Sequence, residues 1–371
     1  MSKHNHDLKR RTLVKGVAAS TLLPLLGANL LGCSNSHDSV EGAAGEGEFL
    51  HGVASGDPLQ DSVIIWTRVT PLQQGAVNVG WEVAADGEFA NVVNSGTGTT
   101  DAEVDYTVKV DVTGLEPGAV YYYRFLVGDI ASPTGQTRTL PIGAVAAASF
   151  AVVSCSNYPA GYFNVYREVA QQEVDAVVHL GDYIYEYGPD QYASDRAAEF
   201  DRVVEPGKEI LSLADYRLRY AQYRTDSDLQ AAHAAHPFII VWDDHEVAND
   251  AWKDGAQNHD PATEGDYIQR RTEAIQAWYE WLPIRPPQSA MEITYRQFQY
   301  GDLVDLLMLD TRIIGRDLHV AYAEYTKGDM IDVEAARAAF NDTSRTLLGE
   351  TQANWVKGKL TDSTQRWQVL G

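Results

Sequence analysis

"VVHLGDYIYEYG", Val177 to Gly188, is an apolar run that stops at a glycine and an aspartate and continues into three tyrosines and a glutamate. Val177, Val178 and Leu180 read as the inside of a sheet. Gly181 and Asp182 alone would make a turn, but a surface turn does not call for so many phenols. Asp182, Tyr185 and Glu186 bring ligand chemistry to the strand's edge. Three other apolar runs also stop in polar residues: "FAVVSCSN" (150–157), "FIIVWDDHE" (238–246) and "DLLMLDTR" (305–312). Helical stretches separate them, "YFNVYREVAQQE", "YRLRYAQYR" and "YIQRRTEAIQAWYEW", the last with Ile275, Trp278 and Trp281 on a common face. Short buried strands joined by helices predict an α/β or α/β/β layered domain. Ligands of such sheets bind beyond the carboxyl ends of the strands.

Upstream the texture differs. From Leu50 to about Leu140 apolar and polar residues alternate in "SVIIWTRV" and "AVNVGWEVA", and "GLEPGAVYYYRF" pairs a turn with a strand. This predicts an all-β immunoglobulin- or fibronectin-like sandwich over residues 49–140. "PIGAVAAAS" serves as a linker to a catalytic domain over 149–371. Trp367 to Leu370 read as the start of another buried strand, with no polar terminus after it, so the domain is expected to be incomplete at Gly371.

The first 33 residues read as an export signal. Arg10 and Arg11 precede a moderately apolar run from Val17 to Leu31, which contains Pro24 and Gly27. That run is too short and broken to span a membrane, and the arginine pair points to the twin-arginine translocation machinery as a partner. "NLLGC" then resembles a lipoprotein processing site, with Cys33 as the lipidated first residue; a plain signal peptide is the alternative. Residues 34–48 form a polar, Gly-rich tether. The expectation is a periplasmic or cell-surface protein, lipid-anchored through Cys33 and exported already folded, as a cofactor loaded in the cytoplasm would require.

Residues 1–33 carry five of the 29 basic and one of the 52 acidic residues, which leaves 24 against 51, a net charge of −27. Such a surface disfavours nucleic acid and anionic lipid headgroups, and bulk charge by itself speaks for solubility. With Cys33 acylated, Cys155 is the single remaining thiol. In an oxidising compartment it must be buried and inert or occupied.

Cys155, Asp182 with Tyr185, Asp243-Asp244-His245-Glu246 with Asn249, and Asp310 with Arg312 are all expected at strand ends of one sheet. Each has a commoner explanation alone: a turn, a core cysteine, packed tyrosines, a helix cap, a surface ion pair. His179, between Val178 and Leu180, reads as a core histidine. Together, carboxylates, a neutral histidine and a carboxamide are what two-metal phosphoester hydrolysis requires, with one aspartate bridging the cations. A thiolate and a phenolate on one side of Asp182 suit trivalent iron, and oxygen ligands on the other suit calcium.

"HGVASGDPLQDSVIIWTRV" (51–69), "SCSN", "HLGDYIYEYG", "VWDDHEVAND" and "AWYEWLPIR" closely resemble the PhoD-type alkaline phosphatases, exported bacterial enzymes of the calcineurin-like metallophosphoesterase superfamily. The resemblance runs from about Phe49 to the end. It implies a phosphatase core behind a β-sandwich, with one Fe3+ and Ca2+ in the site. Cys155 would bind iron, Asp182 would bridge iron and calcium, and Tyr185 would give iron its phenolate. Asp244 and Asn249 fall on the calcium side, the acidic pair leaving the alignment open by one residue. His245 resembles the superfamily histidine that assists the leaving group, and Arg312 is the candidate phosphate clamp. Members carry a further metal-binding segment beyond the strand that "RWQVLG" begins, so the sequence is expected to be part of a longer reading frame. The activity implied is release of phosphate from phosphomonoesters and also diesters. The alternatives are a phosphodiesterase or phospholipase D-like enzyme, and a surface binding protein with a degenerate hydrolase domain.

Overall fold

The computed structural model describes residues 46–287, 291–328 and 330–371. The expected signal peptide, with Arg10, Arg11 and Cys33, and all of the tether before residue 46 lie outside them. The N-terminal region supplies β1 (Val53–Gly56), β2 (Ser62–Arg68), β3 (Val77–Ala84), β4 (Val92–Thr100), β5 (Thr107–Thr113), β6 (Val120–Val127) and β7 (Gly135–Arg138). The rest supplies β8 (Phe150–Val153), β9 (Ala176–His179), β10 (Pro237–Ile240), β11 (Arg296–Tyr300), β12 (Val304–Met308) and β13 (Trp367–Leu370). Helices α1 (Asn164–Ala170), α2 (Leu213–Tyr223), α3 (Ser227–Ala235), α4 (Tyr267–Trp281), α5 (Val333–Phe340) and α6 (Gly349–Asp362) lie between them.

The expected sandwich forms, in the order β7-β6-β3-β4 on one side and β1, β2 and β5 on the other. Period-two alternation explains it: β6 buries Tyr121, Tyr123, Phe125 and Val127 and leaves the residues between them half-buried. These pack with Val53, Val63, Ile65 and Val112 from the facing strands.

That facing sheet is not confined to the sandwich. It runs β8-β9-β10-β1-β2-β5, parallel from β8 to β1 and antiparallel thereafter. Pro237 and Phe238 pair with Ser55 and Gly56 across the junction. Gly56 is required there: a Cβ would lie 2.4 Å from the Pro283 carbonyl oxygen and 2.5 Å from that of Phe238. Arg296 adds a two-pronged pair to the buried Asp57, at 2.9 and 2.7 Å, and Trp66 Nε1 donates to the Glu280 carbonyl at 2.7 Å.

On one face of β8–β10, Val177, Phe238 and Ile240 pack with Tyr216, Tyr220 and Tyr223 of α2, Leu229 of α3, and Ile275, Trp278 and Trp281 of α4. The 3.6-residue period read in "YIQRRTEAIQAWYEW" thus faces the core, and Asp266 caps the helix by accepting from Ile268 and Gln269 N–H. On the other face Ala176, Val178, Ile239 and Val241 meet Phe298, Tyr300, Leu306 and Met308 of a second sheet, β11-β12-β13. The region is therefore layered α/β/β.

The second sheet corrects one expectation. The strand of "DLLMLDTR" does not join the sheet of the other runs but packs across from it. A fully buried apolar strand has no free face to mark its partners, so its sequence does not say which sheet it joins. Two burial expectations also change. Leu180 lies just past the end of β9 and is 37% exposed. Trp367–Leu370 do form a strand, parallel to β12, but all four side chains are exposed.

Candidate metal centre

Three loops, leaving the parallel neighbours β8, β9 and β10, are laced together by backbone. Cys155 N–H donates to Gly181 O at 3.1 Å and Ser156 N–H to Asp182 O at 2.8 Å. Gly181 has φ 98°, and a Cβ there would sit 2.2 Å from the Asp243 nitrogen. Only glycine lets the second and third loops approach so closely. Cys155 (φ 60°) and Asp182 (φ 54°) both occupy the left-handed region, at a strain of about 1–3 kcal/mol each that the surrounding contacts must outweigh. Glu246 supplies some of those contacts. It is buried and accepts from the N–H of Asp182, Tyr183 and Asp243 at 3.1, 2.6 and 2.9 Å. The glutamate of "DDHE" is thus a clasp between loops, and burial followed by the Asp182 carboxylate raises it to about 8.

The clasp brings side chains to a point. Asp182, Asp244 and His245 each offer a ligand atom, and these atoms lie within 4.8 Å of one another. Tyr185 Oη donates to Asp182 Oδ2 at 3.1 Å, and the Cys155 thiol, on an exposed residue, donates to the same oxygen at 3.5 Å. Asp182 Oδ1 is buried without a hydrogen-bond partner. Burial and the neighbouring Asp243 carboxylate push Asp182 upward. Asp244 rises to about 6, first through burial and then through Asp243. Desolvation and the Asp182 carboxylate raise Cys155, and the same two causes raise the Tyr185 phenol. Four potential anions crowded at one point, each pushed upward, with an orphaned carboxylate oxygen among them, fit a cation: a positive charge there would oppose every one of these shifts.

His245 is held from behind. Its Nδ1 lies 2.7 Å from Glu186 Oε2, and Glu186 Oε1 accepts from Asn249 N–H and from the Asn258 carboxamide at 2.7 and 2.8 Å. Burial alone would lower the imidazole, but the bonded Glu186 carboxylate outweighs it and lifts His245 to about 9. Glu186, grouped above with ligand chemistry at the strand's edge, instead orients the histidine. Tyr185 stacks on the other side of the ring, centroids 4.2 Å apart.

The remaining candidates are more dispersed. Asn249 gives its side-chain N–H to Gln257 at 2.8 Å, while Asp250 N–H closes the loop onto Asp244 Oδ2 at 2.5 Å. Arg312 reaches across from the second sheet to Asp243 at 2.5 Å, Asp244 at 3.4 Å and Asp250 at 3.7 Å. Asp310 does not face the cluster. It is fully buried and accepts from the N–H of Arg312, Ile313 and Ile314, shaping the turn that presents Arg312. His179 is a core residue as expected, bonded to Ser156 and Tyr166. The roles of Glu186 and Glu246 were missed because a carboxylate beside a strand end reads the same whether it faces outward or clasps backbone.

The fold is layered α/β/β, and at its strand ends Asp182, Asp244 and His245 form a group that could hold a metal ion. The chain belongs to the PhoD-like phosphatase family: the family's model matches residues 150–371, and that of its N-terminal domain matches residues 33–141. It is 42% identical over 335 residues to alkaline phosphatase D of Bacillus subtilis (strain 168), a match covering 87% of this chain and 55% of the relative. The solved structure of PhoD superposes with a TM-score of 0.76 at 41% identity, over 87% of this chain and 61% of that one. The chain thus spans a little over half the length of the relatives it matches.

Proposed function

We propose that the protein is a metal-dependent phosphoester hydrolase that releases phosphate from monoesters and also accepts diesters. The observation that carries this reading is the convergence of Asp182, Asp244 and His245, with Cys155 and Tyr185 both bonded to the Asp182 carboxylate. In the proposal Cys155, Asp182 and Tyr185 would hold Fe3+, and Asp244 and Asn249, with Asp182, would hold Ca2+. When bound, the cations supply positive charge to the phosphate oxygens and Lewis acidity toward the attacking water. Water attacks phosphorus in line with the departing ester oxygen, whose P–O bond breaks. His245, with Nδ1 engaged by Glu186, has its Nε2 proton left for that oxygen. Arg312 lends a fixed positive charge to the phosphate by a charge-assisted bond, although part of that charge is already engaged by Asp243.

The proposal extends to location. The twin arginines and Cys33 support export by the twin-arginine route and a lipid anchor that holds the enzyme at the membrane surface. Asp182→Ala tests the site itself. It is expected to lose bound metal by elemental analysis and hydrolysis together, and turnover that survives the substitution contradicts the assignment.

A further inference from the structure

Residues 188–201 form a loop beside His245 that the proposed chemistry leaves unused. The loop is pinned by its own bonds: Gly188 N–H donates to Gln191 Oε1 at 2.7 Å and Ser194 Oγ to Gln191 O at 2.8 Å. Ser194 and Ala197 are buried. Between these anchors Tyr192 is 58% exposed, yet its ring faces the site. It lies nearly parallel to His245, at 13° with centroids 6.5 Å apart, and nearly parallel to Tyr185, at 16° and 6.0 Å. Tyr187 fills the angle between them, 5.6 Å from both Tyr192 and His245. The result is an aromatic wall that starts at the His245 ring and ends in an exposed ring at the mouth.

Resting on the hydrolase reading above, we infer that Tyr192 determines specificity, and that the site favours phosphate esters whose leaving group carries a flat ring, aryl or nucleoside. Three features carry the inference. The wall adjoins the histidine assigned to the departing oxygen, so it lies on the leaving-group side of the phosphate. The rings of Tyr185 and His245 are held by bonds to Asp182 and Glu186, so a planar group meets a surface already in place and loses little entropy on stacking. The exposed face of Tyr192 is apolar area still in water, which a flat group covers and an aliphatic alcohol does not.

The test compares Tyr192→Ala and Tyr192→Phe in the full-length protein on 4-nitrophenyl phosphate, adenosine 5′-monophosphate and glycerol phosphate. Tyr192→Ala is expected to lower kcat/KM for a ring ester relative to glycerol phosphate by about twofold to tenfold, the range of a lost ring stack. Tyr192→Phe should keep the wild-type ratio. The ester whose ratio falls tells an aryl preference from a nucleoside one. Ratios that do not move in Tyr192→Ala, whether all three rates fall together or none falls, overturn the inference while the hydrolase reading stands. A wild type that hydrolyses none of the three esters removes both.

Discussion

At the residue scale the centre is governed by the energy of crowding acids. Asp182 carries a buried oxygen with no partner and one that already accepts from a thiol and a phenol, an arrangement that is costly for a bare carboxylate. The cation we propose there would remove that cost, and in the proposal ligand type would sort the two sides, thiolate and phenolate for iron, carboxylates and carboxamide for calcium. Cys155→Ser is therefore expected to deplete iron well beyond calcium in elemental analysis of the purified protein. Equal loss of both metals, or loss of neither, contradicts a thiolate-held iron. Cys155, Asp182 and Asp244 stand out in the sequence because each lies two residues past the end of an apolar run, with Tyr185 and His245 close behind. Asp310 was legible as a polar strand end but not as a turn-former, since only its three backbone donors distinguish that role.

At the element scale the deciding feature is the junction of β10 with β1, where an α/β layer and one face of a sandwich become a single sheet. Helices α1, α2 and α4 were readable because period 3.6 differs plainly from period 2. The junction was not readable, because "HGVASGDP" shows neither alternation nor an unbroken apolar run; its four strand residues are buried on both faces and three of them, Ala54, Ser55 and Gly56, are small. Gly56 is the point of closest approach. Gly56→Ala should destabilise the protein by about 1–3 kcal/mol, the usual range for overpacking a well-filled site, read as a lower denaturation midpoint in guanidinium. An unchanged midpoint would mean that the Pro283 and Phe238 carbonyls can move aside.

At the scale of the whole molecule, buried histidines tie stability to pH. His179 is wholly buried, and burial lowers it from 6.5 to about 3; His51, also buried, is lowered to about 3 as well. A group depressed on folding contributes stability that is fully present above its unfolded pKa and lost as pH falls toward its folded one. The protein should therefore lose stability from about pH 6.5 down to 3, with each such histidine adding up to about 1.4 kcal/mol per pH unit to the slope. His179→Gln in metal-free buffer should flatten that slope by one histidine's share, and an unaltered slope would show that His179 is not the neutral core group described. The sandwich, the shared sheet and the second sheet together position one acidic centre, which in the proposal hydrolyses phosphoesters only with metal bound. The most direct measurement is hydrolysis of 4-nitrophenyl phosphate and of its bis-ester by the full-length protein, with and without a calcium chelator. A metal-dependent centre should show turnover that the chelator abolishes and added calcium restores, with the monoester faster. Turnover indifferent to the chelator, or no turnover of either ester by metal-loaded protein, would contradict it.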